Sequence, residues 1–516
     1  MTMQFGFYPG HENGCGHPRD CPHLGGASVG HLVHIVNTSE GSRLYVHRQL
    51  DAQRKRNSEL VSEVLRLEKA LEQAQLELRL ERQNKFTTSK QKSESDDCQS
   101  GDNTQENSTG KRGAPIGHAG WYRKTPTQYD VCVDVPVPTR CPHCKSNNVS
   151  TYDTREASQH LQEDIIDGQH HVTLFTHRSA RCRECRRWVQ QAGVGEILGS
   201  RIGPNVRSMA IYLRNEIGVS YRKVSRAIED LLGLNFTPAA LIGFEKTLVQ
   251  QATPIVTDIK KKIASTEGPV HADETYWTLD GDRAYYWVHT TEDFVHFEFE
   301  TTRSGQVSRD VLGEDFAGTL VTDCYSGYEA QQASAKQKCL AHLARTARDW
   351  QKLTDNRSAD CRFFDRVVQW VKKGCSYHQK QANWSASTRR RHRRWLEREL
   401  ELLQRLKLKH EKATTLQGRI IKHADCWLVF VKDARVPPTN NLAERPLRPL
   451  VIMRKICFGN RSRDGGQRLA KIMSVKDTAR RHGHNPLRVF YRLFTQPPDK
   501  VMQFIYKKTS AKKSIA

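Results

Sequence analysis

Two short cysteine pairs constrain this chain more than any other feature. Cys141-Pro-His-Cys144 and Cys182-Arg-Glu-Cys185 are separated by 37 residues. Each Cys-x-x-Cys forms a knuckle presenting two thiolates, and two converging knuckles close a tetrahedral zinc site. The chain between them must therefore run out and return. Leu161–Ile166 and His171–His177 look like strands, so residues 121–198 are expected to form a zinc ribbon. The gap exceeds the common 15–20 residues, which an extended hairpin would fill. Disulfides are the competing reading, but most of the 14 cysteines are scattered singly, which suits reduced thiols. Arg178, Arg181, Arg183, Arg186 and Arg187 surround the second pair. With a net charge of +24 and a pI near 9.5, they point to a polyanion, nucleic acid before membrane.

The rest of the chain divides by composition. Residues 1–56 are Gly- and His-rich and read as a poorly ordered tail. Their Cys15, His17, Cys21 and His23 match no common metal spacing. Residues 57–86 place Leu60, Val64, Leu67, Leu71, Ala74 and Leu78 at 4-3-4 spacing, the seam of a coiled-coil helix. A helix lying on a globular core is the alternative. Residues 87–120 are nearly free of apolar side chains and read as a disordered linker. Residues 199–264 predict three helices, opened by Pro204, broken at Gly218-Val-Ser220 and restarted at Thr237-Pro238. A helix-turn-helix and an ordinary helical connector both match that pattern. No apolar run approaches the roughly 18 residues that span a bilayer, and the N-terminus has no secretory pattern. A cytoplasmic, nucleoid-associated protein is expected.

From residue 265 the pattern turns to strands. Pro269–Trp277, Ala284–Thr290 and Phe294–Glu300 form a meander, Gly305–Leu312 a helix, and Gly318–Thr322 a fourth strand ending at Asp323. This is the order of an RNase H-like sheet, in which the first and fourth strands are neighbours. Asp273 on the first would then meet Asp323 on the fourth. Helical sequence fills 341–431. Within it Arg389–Lys412 carries 10 Lys/Arg against 4 Asp/Glu, with Trp384 and Trp395 among or beside the cations. A DNA-facing helix and a solvated face are the two readings.

The stretch from Arg435 to Arg481 holds 12 Lys/Arg and 3 Asp/Glu, with Glu444 inside Pro437-Pro-Thr-Asn-Asn-Leu-Ala-Glu-Arg-Pro-Leu-Arg448. A carboxylate in such a field suits a metal that works on phosphates. Two-metal phosphodiester chemistry needs carboxylates that hold two ions about 3.5–4 Å apart, and oxygen ligands favour Mg²⁺ or Mn²⁺. Each acid also has a plain reading. Glu274 rivals Asp273 on the opposite face of the strand. Asp323 suits a turn or N-cap, and Asn441-Leu-Ala-Glu444 suits a capping box. Spacing alone leaves these open.

His271-Ala-Asp-Glu-Thr275, Val321-Thr-Asp-Cys-Tyr-Ser-Gly-Tyr328, Cys339-Leu-Ala-His342 and Asn440-Asn-Leu-Ala-Glu-Arg-Pro-Leu-Arg-Pro449 are motifs with a precedent. With Arg454-Lys455 and Gly465-Gly466, they resemble the DDE transposases of the insertion-sequence-66 family over roughly residues 57–495. Cys324 and Ile456 depart from the usual Gly and Asn. The resemblance implies that Asp273, Asp323 and Glu444 are catalytic metal ligands. His342 matches a recurring histidine. Arg445, Arg448, Arg454 and Lys455 are the candidate DNA-binding residues.

The expected protein is thus a multidomain α+β chain. A coiled-coil helix, a zinc ribbon on Cys141, Cys144, Cys182 and Cys185, and a helix-turn-helix precede an RNase H-like α/β catalytic core at 265–340 and 432–482. An all-helical insertion occupies 341–431, and 483–516 form a C-terminal helix and a mobile basic tail. It would bind the ends of a mobile element, hydrolyse a strand there with Mg²⁺ or Mn²⁺ and join the 3′-OH to target DNA. It would act as a homo-oligomer, with accessory proteins possible and no membrane partner. A nuclease that cuts without joining, and an inactive DNA-binding descendant, are the alternatives.

Overall fold

The structure, a computed structural model, describes residues 123–152, 157–355 and 358–509, with eight residues between Asp51 and Arg66. Met1–His118 and Ala119–Ala516 are separate compact units. In the first, the eight described residues are all helical. Asp51, Ala52, Lys55 and Arg56 are among them, so helix begins earlier than residue 57. The apolar seam from Leu60 to Leu78, the Cys15–His23 cluster and the 87–120 stretch lie outside the described residues.

The second unit opens with two small sheets. One contains β1 (Val131–Val135), β4 (Gln169–His177) and β3 (Ser158–Ile166), in that order. The other contains β2 (Val149–Thr151), β5 (Ala180–Cys182) and β6 (Trp188–Val189). The β3–β4 hairpin is what occupies the long gap between the cysteine pairs, with Asp167 and Gly168 in its left-handed turn. It reaches the helices through Asp164, whose carboxylate accepts from Val206 N at 2.8 Å and Asn205 N at 3.1 Å. That caps α1 (Pro204–Asn215) from a distant strand, because the N-cap residue, Gly203, has no side chain to do it.

Helices α2 (Tyr221–Leu232) and α3 (Pro238–Ala264) follow. Thr237 caps α3 by accepting from Ala240 N. These three helices do not form an isolated module. Val206, Ile211, Val224, Ile228, Leu248 and Ile259 share one core with Val270, Ala272 and Trp287 of the following sheet.

That sheet has five strands in the order β11-β10-β7-β8-β9. They are β7 (Pro269–Leu279), β8 (Asp282–Thr290), β9 (Val295–Glu300), β10 (Asp315–Thr322) and β11 (Gln332–Lys338), with α4 (Gln306–Leu312) between β9 and β10. β7, β8 and β9 are antiparallel neighbours, whereas β10 runs parallel to both β7 and β11. The alternation of β7 sorts its faces. Val270 and Ala272 enter the core shared with the three helices, and Trp277 enters the opposite one.

Two helices cover the second face. In α10 (Asn441–Cys457), Ala443, Leu447, Leu450 and Met453 pack on Trp277, Tyr286, Val288 and Phe297. α11 (Arg463–Arg481) lies along β9, the edge strand. Its Thr478 and Ser474 hydroxyls accept from Val295 N and Phe297 N, at 3.0 and 2.9 Å. An edge whose backbone groups are satisfied this way offers no template for another strand.

Five helices, α5 (Leu340–Gln351), α6 (Ala359–Lys380), α7 (Ala386–Arg405), α8 (Glu411–Lys422) and α9 (Val429–Lys432), build their own core beside Val321. The helical sequence expected over 341–431 is not continuous. α7 stops at Arg405 and α8 restarts at Glu411, where Asp360 accepts from Lys409 N and His410 N. Trp384 stacks on His392 and Trp395 lies under Lys373, so both indoles are engaged within the chain.

The chain closes with α12 (Pro486–Thr495) and α13 (Pro498–Tyr506), after Gly483 at a positive φ of 84°. The tail is pinned as far as Thr509: Lys508 pairs with Asp293 at 2.7 Å, and Thr509 N donates to His482 O. Among the described residues no helix is long and apolar enough to cross a membrane.

Candidate active site

Asp273 and Asp323 are brought together by register. β10 pairs with β7 so that Val321 stands opposite His271, and each acid lies two residues further on. Two residues is one full strand period, so both carboxylates leave the same face at the same level. Glu274 leaves the other face. It is held there by Arg303 at 2.6 Å and by the Tyr328 hydroxyl at 2.6 Å. Glu274 is therefore a paired acid, distinguished from Asp273 by its partners as well as by its face.

Glu444 comes from the first turn of α10. The capping-box reading is not what the side chains do. Asn440 is the N-cap and makes no side-chain cap. Its amide is spent across the interface instead: Oδ1 meets His271 Nδ1 at 3.0 Å and Nδ2 donates to Ala272 O at 2.8 Å. Asn440 N also donates to Cys339 Sγ. One fully buried residue thus ties the helix of Glu444 to the strand of Asp273 and to the start of α5. Pro446 lacks the N–H that would bond Leu442 O in a regular helix. Arg481 supplies that donor at 3.3 Å.

The electrostatics of this corner are unbalanced. Burial pushes the Asp273 carboxyl up to about 8, and the Glu274, Asp323 and Glu444 carboxylates push the same way. The Glu274 N–H opposes them by donating to Asp273 Oδ1 at 3.0 Å. Glu444 Oε1 is buried with no hydrogen-bond partner. His342 Nδ1, equally unpartnered, lies 3.6 Å from it, and Cys339, His342 and Glu444 bring their ligand atoms within 4.8 Å of one another. Asp323 Oδ1 accepts from Tyr325 N at 2.9 Å. A raised carboxyl among neighbouring acids and an orphaned carboxylate oxygen fit a divalent cation.

Lys338 is the residue that sequence reasoning missed. It is 1% exposed. It donates to Thr322 Oγ1 at 3.1 Å and to Asp323 O at 2.8 Å, so it fixes the backbone at the end of β10. The strand carrying it reads Gln-Ala-Ser-Ala-Lys-Gln-Lys. That has no apolar period, and its only signal is its place just before Cys339-Leu-Ala-His342.

The candidate DNA-binding side chains lie on α10. Arg445, Arg448 and Lys455 are exposed on its outer surface. Arg454 is engaged elsewhere: it donates to Tyr276 O and sits over the Tyr276 ring at 5.3 Å.

The four cysteines of the ribbon region also converge. Cys141 and Cys185 sulfurs lie 3.6 Å apart, Cys144 and Cys182 sulfurs 3.5 Å apart, and all four fall within 4.8 Å. These separations exceed a disulfide bond of about 2.05 Å. They approach the edge of about 3.8 Å for a tetrahedron with zinc–sulfur bonds of about 2.3 Å. Burial opposes ionisation of Cys141, yet the Cys144 and His143 backbone N–H groups pull its thiol down to about 6.

Parallel neighbours β7, with Asp273 midway along it, and β10, which ends just before Asp323, bring two acids together with a third from a packed helix, an arrangement suited to phosphodiester chemistry. The family described as Transposase IS66 family matches residues 199–468, a span containing all three acids and more than half of the chain. The chain belongs to the IS66 family of transposases, and DNA is the partner that membership implies. No curated protein sequence matches it.

Proposed function

We propose that this chain is a DDE-type transposase whose RNase H-like core is the five-stranded sheet with α10 and α11. Asp273, Asp323 and Glu444 are its catalytic acids and hold Mg²⁺ or Mn²⁺. The observation that carries this reading is the excess of carboxylate at one corner: Asp273 raised to about 8 by burial and by its acidic neighbours, and Glu444 Oε1 buried without a partner. Bound divalent ions would activate the attacking oxygen and stabilise the leaving one.

The protein's own residues prepare that corner. Asn440 fixes the distance between the helix of Glu444 and the strand of Asp273. Lys338 holds the Asp323 backbone in place. Arg445, Arg448 and Lys455 present cations to phosphates beside the acids. Cleavage at an element end releases a 3′-OH, and the same site directs that hydroxyl onto a target phosphodiester. Two ends must be brought together, which calls for a homo-oligomer on DNA. Cys141, Cys144, Cys182 and Cys185 hold structural zinc, and the ribbon and α1–α3 contribute to holding the element ends.

The test uses purified protein, Mg²⁺ and labelled duplex bearing the element's ends, comparing wild type with Glu444→Ala. Cleavage and joined products lost in the variant, with DNA binding kept, are the expected result. Cleavage without joined products would make the protein a nuclease. Equal cleavage by the variant would remove Glu444 from the site. Binding without cleavage by wild type would indicate an inactive descendant.

A further inference from the structure

Helix α10 ends in an unusual way. Its C-terminal turn is closed by Phe458 in the left-handed conformation, φ 59° and ψ 8°. That position is commonly glycine, and a bulky residue there is an outlier. The other described non-glycine residues at positive φ are Lys145, Asp167, Arg186 and Asp280, all polar. Phe458 is also 79% exposed, so no burial of its ring compensates for the conformation.

The segment is nonetheless rigid. Phe458 N donates to Arg454 O at 2.9 Å. Gly459 has φ 120°, and a side chain there would run into Thr278 O. Asn460 is stitched to the end of β7: its N donates to Thr278 O, its O accepts from Asp280 N, and its Oδ1 accepts from Trp277 Nε1. The ring is therefore held out on a fixed support.

Its surroundings say what it faces. Arg445, Arg448, Ile452, Lys455 and Ile456 are the exposed residues of α10 after Glu444, spaced by 3, 4, 3 and 1. They form one stripe in which three cations are interspersed with two apolar side chains, and Ile452 and Ile456 are 60% and 48% exposed. The stripe starts beside Glu444 and ends at Phe458. Charge complementarity and continuity with the acid cluster favour DNA as its occupant. Apolar side chains placed among cations are the means by which proteins unstack base steps.

We propose that Phe458 is a wedge that stacks on, or inserts at, a base step of the same DNA whose phosphodiester lies at Asp273, Asp323 and Glu444. Arg445, Arg448 and Lys455 contact the intervening phosphates. The helix sets the spacing. Fourteen residues from Glu444 to Phe458, at about 1.5 Å each, span about 21 Å, or about six base-pair steps of about 3.4 Å. The proposal rests on the reading of the acids as the cleavage site.

The experiment uses the full chain and the element-end duplex carrying 2-aminopurine singly at each of several base pairs flanking the cut. Divalent cation is left out, so the readout is independent of cleavage. Wild type and Phe458→Trp are expected to raise fluorescence at one or two adjacent positions about six base pairs from the cut. Phe458→Ala should lose that signal and bind about 10-fold more weakly, whereas Arg448→Ala should weaken binding without moving the signal. Bound DNA with no responding position in wild type, or an unchanged signal in Phe458→Ala, overturns the wedge alone. Unaltered DNA binding in Phe458→Ala with a reduced mass by light scattering would make the patch a contact between copies, which also overturns it. Failure of wild type to bind the duplex at all would sink the functional reading with it.

Discussion

Glu444 and His342 face each other across 3.6 Å between Oε1 and Nδ1, and neither buried atom has a hydrogen-bond partner. That separation is too long for a hydrogen bond, while both groups can serve a shared cation. His342→Ala is expected to lower cleavage about 10- to 100-fold, the range for residues that orient a metal ligand. DNA affinity should not change, and His342→Gln should recover part of the activity. Wild-type cleavage by His342→Ala would leave the imidazole a packing role only.

Asp273 and Glu274 are adjacent carboxylates with opposite duties. Glu274 is tied to Arg303 and Tyr328, whereas Asp273 faces Asp323 and Glu444. Asp273→Asn should abolish cleavage. Glu274→Gln should cleave within several-fold of wild type and lower stability by about 1–3 kcal/mol through its weakened hydrogen bonds. Kinetics and denaturant melts of the two variants decide the assignment, and the reverse pattern would exchange their roles.

The raised Asp273 carboxyl makes cation binding pH-dependent. Its ordinary value is 3.8 and its value in the folded chain about 8. Between these, the folded chain holds a proton that the unfolded chain has released. The stability of the metal-free protein therefore falls as pH rises through that window. A divalent cation needs the ionised form. The rise in Tm on adding Mn²⁺ is expected to be small at pH 6 and to level off above pH 8, where a hundredfold excess over Kd stabilises the fold by about 2.7 kcal/mol. Equal Tm shifts at pH 6 and pH 9 would show that Asp273 is not a ligand.

The cysteine cluster should hold one zinc ion per chain. Its core is small, only Cys141, Ala180, Cys182 and Val189 being buried with a few neighbours, so the metal must supply most of its stability. Cys182→Ser should lose the zinc by elemental analysis and melt the β2–β5–β6 sheet. The five-stranded sheet has separate cores and should keep its own transition. Full zinc content in Cys182→Ser would refute the four-thiolate site.

Much of this architecture is written in local patterns. Alternation marks β7, β8 and β9, and the parity of β7 already separates Asp273 from Glu274. Two Cys-x-x-Cys pairs announce their own convergence, and Gly483 marks the end of α11. These signals survive because each depends on neighbours one or two residues away. By contrast, β11 is invisible: a polar strand beside β10 is held by backbone pairing, which leaves no apolar period. The break between Arg405 and Glu411 depends on Asp360, about 50 residues earlier.

The sequence by itself determined which residues are acids, thiols and cations, and which segments alternate or turn. Only the tertiary structure decided what those groups are doing. Asn440 is a helix-capping residue by type, yet it is spent on His271 and Ala272, residues 169 and 168 positions away. Glu444 is thereby free of the cap and left with an unpartnered oxygen beside His342. Lys338 is a surface residue by composition and is buried under Asp323. The physical reason is the same in each case. A polar side chain is assigned by whichever partners remain when the backbone is packed, and those partners lie far along the chain.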